Sequence, residues 1–194
     1  VGRPNVDKTI RAKVLVQLQC IRSGIIPDNQ VNTTLQQLVT TLEAVSMTPE
    51  VSESLSDICR LAWNLNHRDV AIKCCELAET EKNMNPVLRS KIDVCKAMKI
   101  VADIAFESAN EILEQRLTFK QTEGYAVERR IEAVKILERV ITIVMSRCDD
   151  SIFLQELCVI IWNTGYILLE PHLRKNVVRA FQLATSALEK IRSP

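Results

Sequence analysis

Two ten-residue stretches of this chain follow one pattern: LSDICRLAWN from Leu55 to Asn64 and LQELCVIIWN from Leu154 to Asn163. Together they hold both tryptophans of the chain, Trp63 and Trp162. The acid–aliphatic–Cys triplet inside them, Asp57–Cys59 and Glu156–Cys158, occurs a third time at Asp93–Cys95. Self-similarity on this scale marks a repeat architecture, in which each unit buries its apolar face only by stacking on a neighbour. Such a chain is built for surface, which points to scaffolding and away from catalysis.

The periodic segments all read as helix. Ile10, Val14, Leu18 and Ile21 share one face, and Gly24 follows as a stop. Leu35, Leu38, Leu42 and Val45 form a second stripe. Thr48-Pro49 and Asn85-Pro86 each place a capping side chain before a proline suited to the first helical turn. The stripes after them are Val51, Leu55, Ile58, Ala62 and Leu88, Ile92, Cys95, Met98, Ala102, Ala105. A turn at Asn66 to Asp69 leads to Val70, Cys74 and Ala78. Ile131, Val134, Leu137, Val140 or Ile141, and Val144 make a further stripe, and Asp149-Asp150 offers caps ahead of Phe153, Leu157 and Ile161. Pro171 ends that helix or opens the next, whose stripe is Leu173, Val177, Phe181, Ala184, Leu188 and Ile191. No alternating strand pattern and no Asn-Gly or Asp-Gly turn occurs. The expected fold is all-α: about eight antiparallel helices in a single helical-repeat segment, residues 1–194, paired near 8–47, 48–81, 86–147 and 150–192.

The spacing fits a tetratricopeptide-like helical-hairpin solenoid better than a HEAT-like array, the alternative. Leu55, Ile58, Cys59 and Ala62 fall on the first four signature positions, and Ala71, Cys75 and Ala78 on the following ones. Leu154, Leu157, Cys158 and Ile161 repeat the first half, and Ala180, Ala184 and Ala187 have the spacing of the second. Antiparallel helices approach closely only over small side chains, and here Cys and Ala, with Cys95 in the third unit, supply them. No position carries the consensus aromatic.

The step from Cys59 to Cys95 is 36 residues, whereas that from Cys95 to Cys158 is 63, a difference of 27. The surplus falls near Phe106 to Glu132 and would add roughly 40 Å of helix, or about 20 Å to each arm of a hairpin. One pair is therefore expected to extend into a long hairpin projecting beyond the array, with Gly124 at a tip or break. Its charged residues Arg116, Lys120, Arg129 and Arg130 are candidates for partner contact; a merely solvated face is the alternative.

Chemistry finds little to rest on. The glycines at 2, 24, 124 and 165 never cluster into a phosphate loop, and neither G-x-S-x-G nor H-E-x-x-H occurs. His67 with Cys74 and Cys75 has no known zinc spacing, since adjacent residues on a helix diverge. The expectation is no metal, no cofactor and no enzymatic activity. Seven cysteines without C-x-x-C read as buried small apolar residues in a reducing, cytoplasmic setting. A net charge of +1 gives no global field toward nucleic acid or a membrane, and Arg174, Lys175 and Arg179 form only a modest basic face. No apolar run reaches the roughly 18 residues that span a bilayer. The start at Val1, with no apolar leader, reads as a piece of a longer chain without a signal peptide.

The last third resembles a known family. Trp162-Asn163, Leu168-Leu169, Pro171 to Arg174 and the helix after them, preceded by Arg130 to Arg139, are similar to the tetratricopeptide-type repeats of the cilia- and flagella-associated protein 46 family. Leu61 to Leu65 through Cys74-Cys75 fits the same type less tightly, and the resemblance spans about residues 50 to 194. It implies a non-enzymatic structural subunit of the central apparatus of the ciliary or flagellar axoneme, with other protein subunits as partners. Two other functions stand beside it. One is a peptide-binding adaptor, with Asn64 and Lys73 to hold a terminal carboxylate; the other is a regulatory part of a larger enzyme.

Overall fold

The computed structural model describes residues 4–80, 84–113, 119–147 and 150–192. Among them the chain is all-α, with no strand, and runs through eight α-helices. These are α1 (Pro4–Arg22), α2 (Asp28–Glu43), α3 (Pro49–Asn64), α4 (Arg68–Thr80), α5 (Pro86–Leu113), α6 (Phe119–Arg147), α7 (Ser151–Gly165) and α8 (Val178–Arg192). Two short 3-10 turns, Tyr166–Leu169 and Arg174–Asn176, lie between α7 and α8.

Local chemistry sets the helix starts. Thr48 Oγ1 accepts from the Val51 amide at 3.4 Å, with Pro49 opening α3. Asn85 Oδ1 accepts from Val87 N at 2.8 Å ahead of α5, and Asp150 Oδ1 accepts from Phe153 N at 2.9 Å ahead of α7. Each satisfies an amide that the first helical turn leaves without an intrahelical partner. Gly24, at φ +70°, ends α1 in the left-handed region that costs glycine least. Asn66 takes φ 63° in the tight turn between α3 and α4, a conformation asparagine tolerates better than most residues.

The chain forms two compact units, residues 1–95 and 96–194, with the boundary inside α5. In the first, α3 and α4 form the central hairpin, and α1 and α2 pack on α3. Val14, Leu18, Val31, Leu35, Val39, Leu42, Val51, Leu55, Ile58 and Ile92 make one continuous core. Arg11 clasps α1 to α3 through Asp57 at 2.7 Å and Glu53 at 3.5 Å. In the second unit α6 packs on both α7 and α8, which pack on each other. Its core includes Val134, Leu137, Ile141, Val144, Phe153, Leu157, Ile161, Val177 and Ala187.

The unequal cysteine spacing has its counterpart in helix length. At 28 and 29 residues, α5 and α6 are the longest helices, each about 40 Å. Other details depart from the sequence reading. Gly124 breaks nothing: it lies inside α6, where open space surrounds the position its Cβ would take. In α2 the buried face is Val31, Leu35, Val39 and Leu42, so Leu38 sits at its edge. The last helix begins at Val178, because the 3-10 turns occupy the stretch around Pro171 and Leu173. Ser151–Leu169 has a mean hydropathy of 1.6 and is long and apolar enough to cross a membrane, contrary to the run-length expectation. Gln155, Glu156, Asn163 and Thr164 interrupt the run without lowering its average enough. Phe153, Leu154, Leu157, Cys158, Ile161 and Leu168 of that stretch are buried in the unit's own core.

Candidate functional site

The small residues singled out by their spacing are buried where helices contact one another. Leu55, Ile58, Cys59 and Ala62 of α3, and Ala71, Cys75 and Ala78 of α4, are all buried. Cys59 Sγ donates to the Ala71 carbonyl at 3.6 Å and lies 3.9 Å from Cys75 Sγ. The two helices thus meet over thiols and an alanine at that point. The N-terminal part of α5 closes the third side: Cys75 Sγ donates to Ile92 O at 4.0 Å, and Arg89 Nη2 donates to Ala78 O at 2.6 Å. Cys59 therefore sits among Cys74, Cys75 and Cys95. Contact with the Cys74 thiol first, then with Cys75 and Cys95, then burial, hold its pKa well above the ordinary thiol range. A thiol kept protonated is inert, which suits a packing role.

The second unit repeats this arrangement. Leu154, Leu157, Cys158 and Ile161 of α7 are buried, and Cys158 Sγ donates to the Ala184 carbonyl of α8 at 3.5 Å. Burial alone raises the Cys158 pKa. Here the third side is open. A groove of about 530 Å³ runs between α7 and α8, lined by Gln155, Cys158, Val159 and Trp162 on one side and Phe181, Ala184, Thr185 and Leu188 on the other. Trp162 is 55% exposed, Val159 58% and Leu188 48%. The Trp162 and Phe181 rings, one from each side, lie 5.4 Å apart at 31°. Leu188, expected in the core stripe, thus lies on the surface beside Phe181, since among the described residues no further helix covers that flank. Gly165 lets the Phe181 ring approach α7 closely: a Cβ there would meet the ring edge at 3.0 Å, so the ring would have to shift slightly.

The charged candidates divide differently. Arg116, and the side chain of Lys120, lie outside the described residues. Arg129 of α6 reaches α5: its guanidinium bonds Glu107 at 3.2 Å, and it also pairs with Glu132 of its own helix. Tyr125 Oη donates to the same Glu107 carboxylate at 3.0 Å. Partial burial works against the Arg129 charge, but the Glu107 bond and charge outweigh it and raise the pKa. Arg130 donates to Thr164 O at 3.3 Å, in the last turn of α7, and its pKa falls with burial. Both arginines thus tie elements of their own unit together.

Of the two residues expected to hold a terminal carboxylate, Lys73 is already paired and Asn64 is exposed at the end of α3. Lys73 Nζ is paired with Glu43 at 2.7 Å, and the shallow pocket beside it also contains Asp69, an acid that would repel a terminal carboxylate. Asp69 itself is pushed up by burial, but the Gln36 side chain at 2.8 Å and the Val70 amide outweigh that and lower its pKa. Among the described residues, no three His, Cys, Asp or Glu side chains are arranged to hold a metal ion.

Comparison with protein-family models, curated proteins and solved structures returned no match.

Proposed function

We propose that this chain is a non-enzymatic scaffold segment that binds other proteins of a large assembly. The observation that carries this is the apolar groove between α7 and α8, walled by Trp162, Phe181, Val159 and Leu188. A contiguous, aromatic-lined surface rimmed by polar side chains is the kind of patch that proteins use to bind one another. The close-packed Cys and Ala positions suit the same role, because they make a stiff hairpin that presents its face without rearrangement. Tetratricopeptide-like stacking, suggested by the positions of Cys59, Cys95 and Cys158, supports the scaffold reading.

The assembly we assign is the central apparatus of the ciliary or flagellar axoneme. The similarity of Trp162 to Arg174 and of Arg130 to Arg139 to repeats of the cilia- and flagella-associated protein 46 family supports that assignment. Its test is to express the tagged chain in ciliated cells and extract the membrane and soluble matrix with detergent. Retention on the axoneme along the central pair is expected; complete release with the soluble matrix would overturn the ciliary assignment.

A further inference from the structure

Four of the seven cysteines, Cys59, Cys74, Cys75 and Cys95, gather where α3, α4 and the start of α5 meet, and all four are buried. Cys59 Sγ and Cys75 Sγ face one another at 3.9 Å across the central hairpin. Cys75 also donates to Ile92 O at 4.0 Å, and Cys95 to Lys91 O at 3.7 Å.

Close packing does not by itself require the second sulfur. In the repeat register Ala180, Ala184 and Ala187 stand where Ala71, Cys75 and Ala78 do. Ala184 is as deeply buried as Cys75, 8% exposed against 7%. An alanine at this place thus serves a hairpin of the same kind. What Cys75 adds is a thiol opposite a thiol. The second hairpin lacks that pairing, since Cys158 there meets only the Ala184 carbonyl.

We propose that Cys59 and Cys75 are a site of reversible oxidation, at which a peroxide converts the two thiols to a disulfide that fastens α3 to α4. A disulfide holds its sulfurs about 2.05 Å apart, so each must advance by about 1 Å, a movement that two short side chains can share. Cys75 is the less buried of the two, 7% exposed against 0%, and is oxidised first, when an opening of the fold admits the oxidant. Its sulfur takes one oxygen from hydrogen peroxide: an S–O bond forms, the O–O bond breaks and water leaves, giving a sulfenic acid. Reclosure returns Cys59 to its place. The Cys59 sulfur then attacks the Cys75 sulfur: the S–S bond forms, the S–O bond breaks, and the hydroxyl departs as a second water with the Cys59 proton. The two thiols lose two electrons, and one peroxide is reduced to two waters. Burial and a tightly held proton on Cys59 make this a slow latch, not a rapid sensor. The proposal is independent of the scaffold reading, because it concerns the stiffness of the hairpin and not what the chain binds.

The test exposes dilute protein to hydrogen peroxide in native buffer, blocks the remaining thiols and maps crosslinked peptides by mass spectrometry. Expected are a Cys59–Cys75 disulfide, an unchanged helical circular dichroism spectrum and a higher urea midpoint reported by Trp63, all reversed by dithiothreitol. Cys75→Ala should abolish the crosslink and the midpoint shift while keeping the fold, as Ala184 does in the second hairpin. Cys74→Ala and Cys95→Ala should leave both in place. A Cys59 crosslink that persists in Cys75→Ala would overturn the proposal. So would pairing found only in urea, oxidation of these thiols to sulfinic acid without a disulfide, or a native-buffer disulfide that lowers the urea midpoint.

Discussion

Twin substitutions at Cys59 and Cys158 test the packing account at two sites that differ in one respect. Cys59 is fully buried, its thiol already in contact with the Ala71 carbonyl at 3.6 Å and Cys75 Sγ at 3.9 Å, under the cover of α5. Leucine brings two more heavy atoms than cysteine. If the site had room, burying them would stabilise the fold by about 0.8 kcal/mol per carbon. The close contacts of the buried thiol oppose that gain, so Cys59→Leu should instead force the helices apart at a cost of about 1–3 kcal/mol, the range for overpacked cores. Cys158 makes the same close approach to Ala184 at 3.5 Å, but it borders the open groove. The added carbons can turn into that groove, and Cys158→Leu should stay within about 1 kcal/mol of the parent protein. The assay is urea unfolding followed by circular dichroism, with the unit carrying each substitution also monitored by its own tryptophan, Trp63 or Trp162. For a chain of this length, 1 kcal/mol corresponds to roughly 2–4 °C in Tm, so the contrast is readily measured. Equal costs at the two sites, or a stabilised Cys59→Leu, would refute the claim that cover by a third helix distinguishes the grooves.

Gly124→Ala should stabilise the protein by about 1 kcal/mol, because the site is helical and unobstructed and glycine is the poorer helix former; a thermal melt showing a lower Tm would contradict the placement of Gly124 inside α6. Arg130→Ala should cost about 1 kcal/mol by leaving the Thr164 carbonyl without its side-chain donor, and Arg130→Lys should recover only part of it in the same melt. In native protein a thiol reagent should modify the half-buried Cys20 quickly, whereas Cys59, Cys74, Cys75, Cys95 and Cys158 should react only as the fold opens. The raised Cys59 pKa means the folded state holds its proton longer than the unfolded chain does. The associated stability is fully present below the ordinary thiol pKa and declines as pH rises through and beyond it; Cys59→Ala should flatten that alkaline decline in urea midpoints.

Much of the fold was legible because local chemistry enforces it. Thr48-Pro49, Asn85-Pro86 and Asp150 start helices through single hydrogen bonds between near neighbours, and Gly24 ends one through its own backbone freedom. The close-packing cysteines were visible for a related reason: a small residue that recurs on an apolar helix face marks the point where two backbones touch. Gly124 misled because a glycine costs a long helix only about 1 kcal/mol, which the packed length of α6 readily outweighs. Arg129 could not be placed from its own neighbourhood, since Glu107, its main partner, lies on the other long helix. The groove was hidden for the converse reason. Leu188 and Phe181 continue an apolar stripe whether or not anything covers them, and periodicity records which residues share a face, never whether that face is occupied.

The openness of the α7–α8 groove is the claim on which the rest depends, and Trp162 reports it directly. In a Trp63→Phe protein the remaining indole is the sole tryptophan, more than half exposed and standing at the groove wall. Its emission in the free protein should lie near that of a solvated indole and be quenched efficiently by acrylamide. Blue-shifted emission that acrylamide quenches poorly, at concentrations where the protein is monomeric, would mean that the chain covers this face by itself and has no vacant groove to offer.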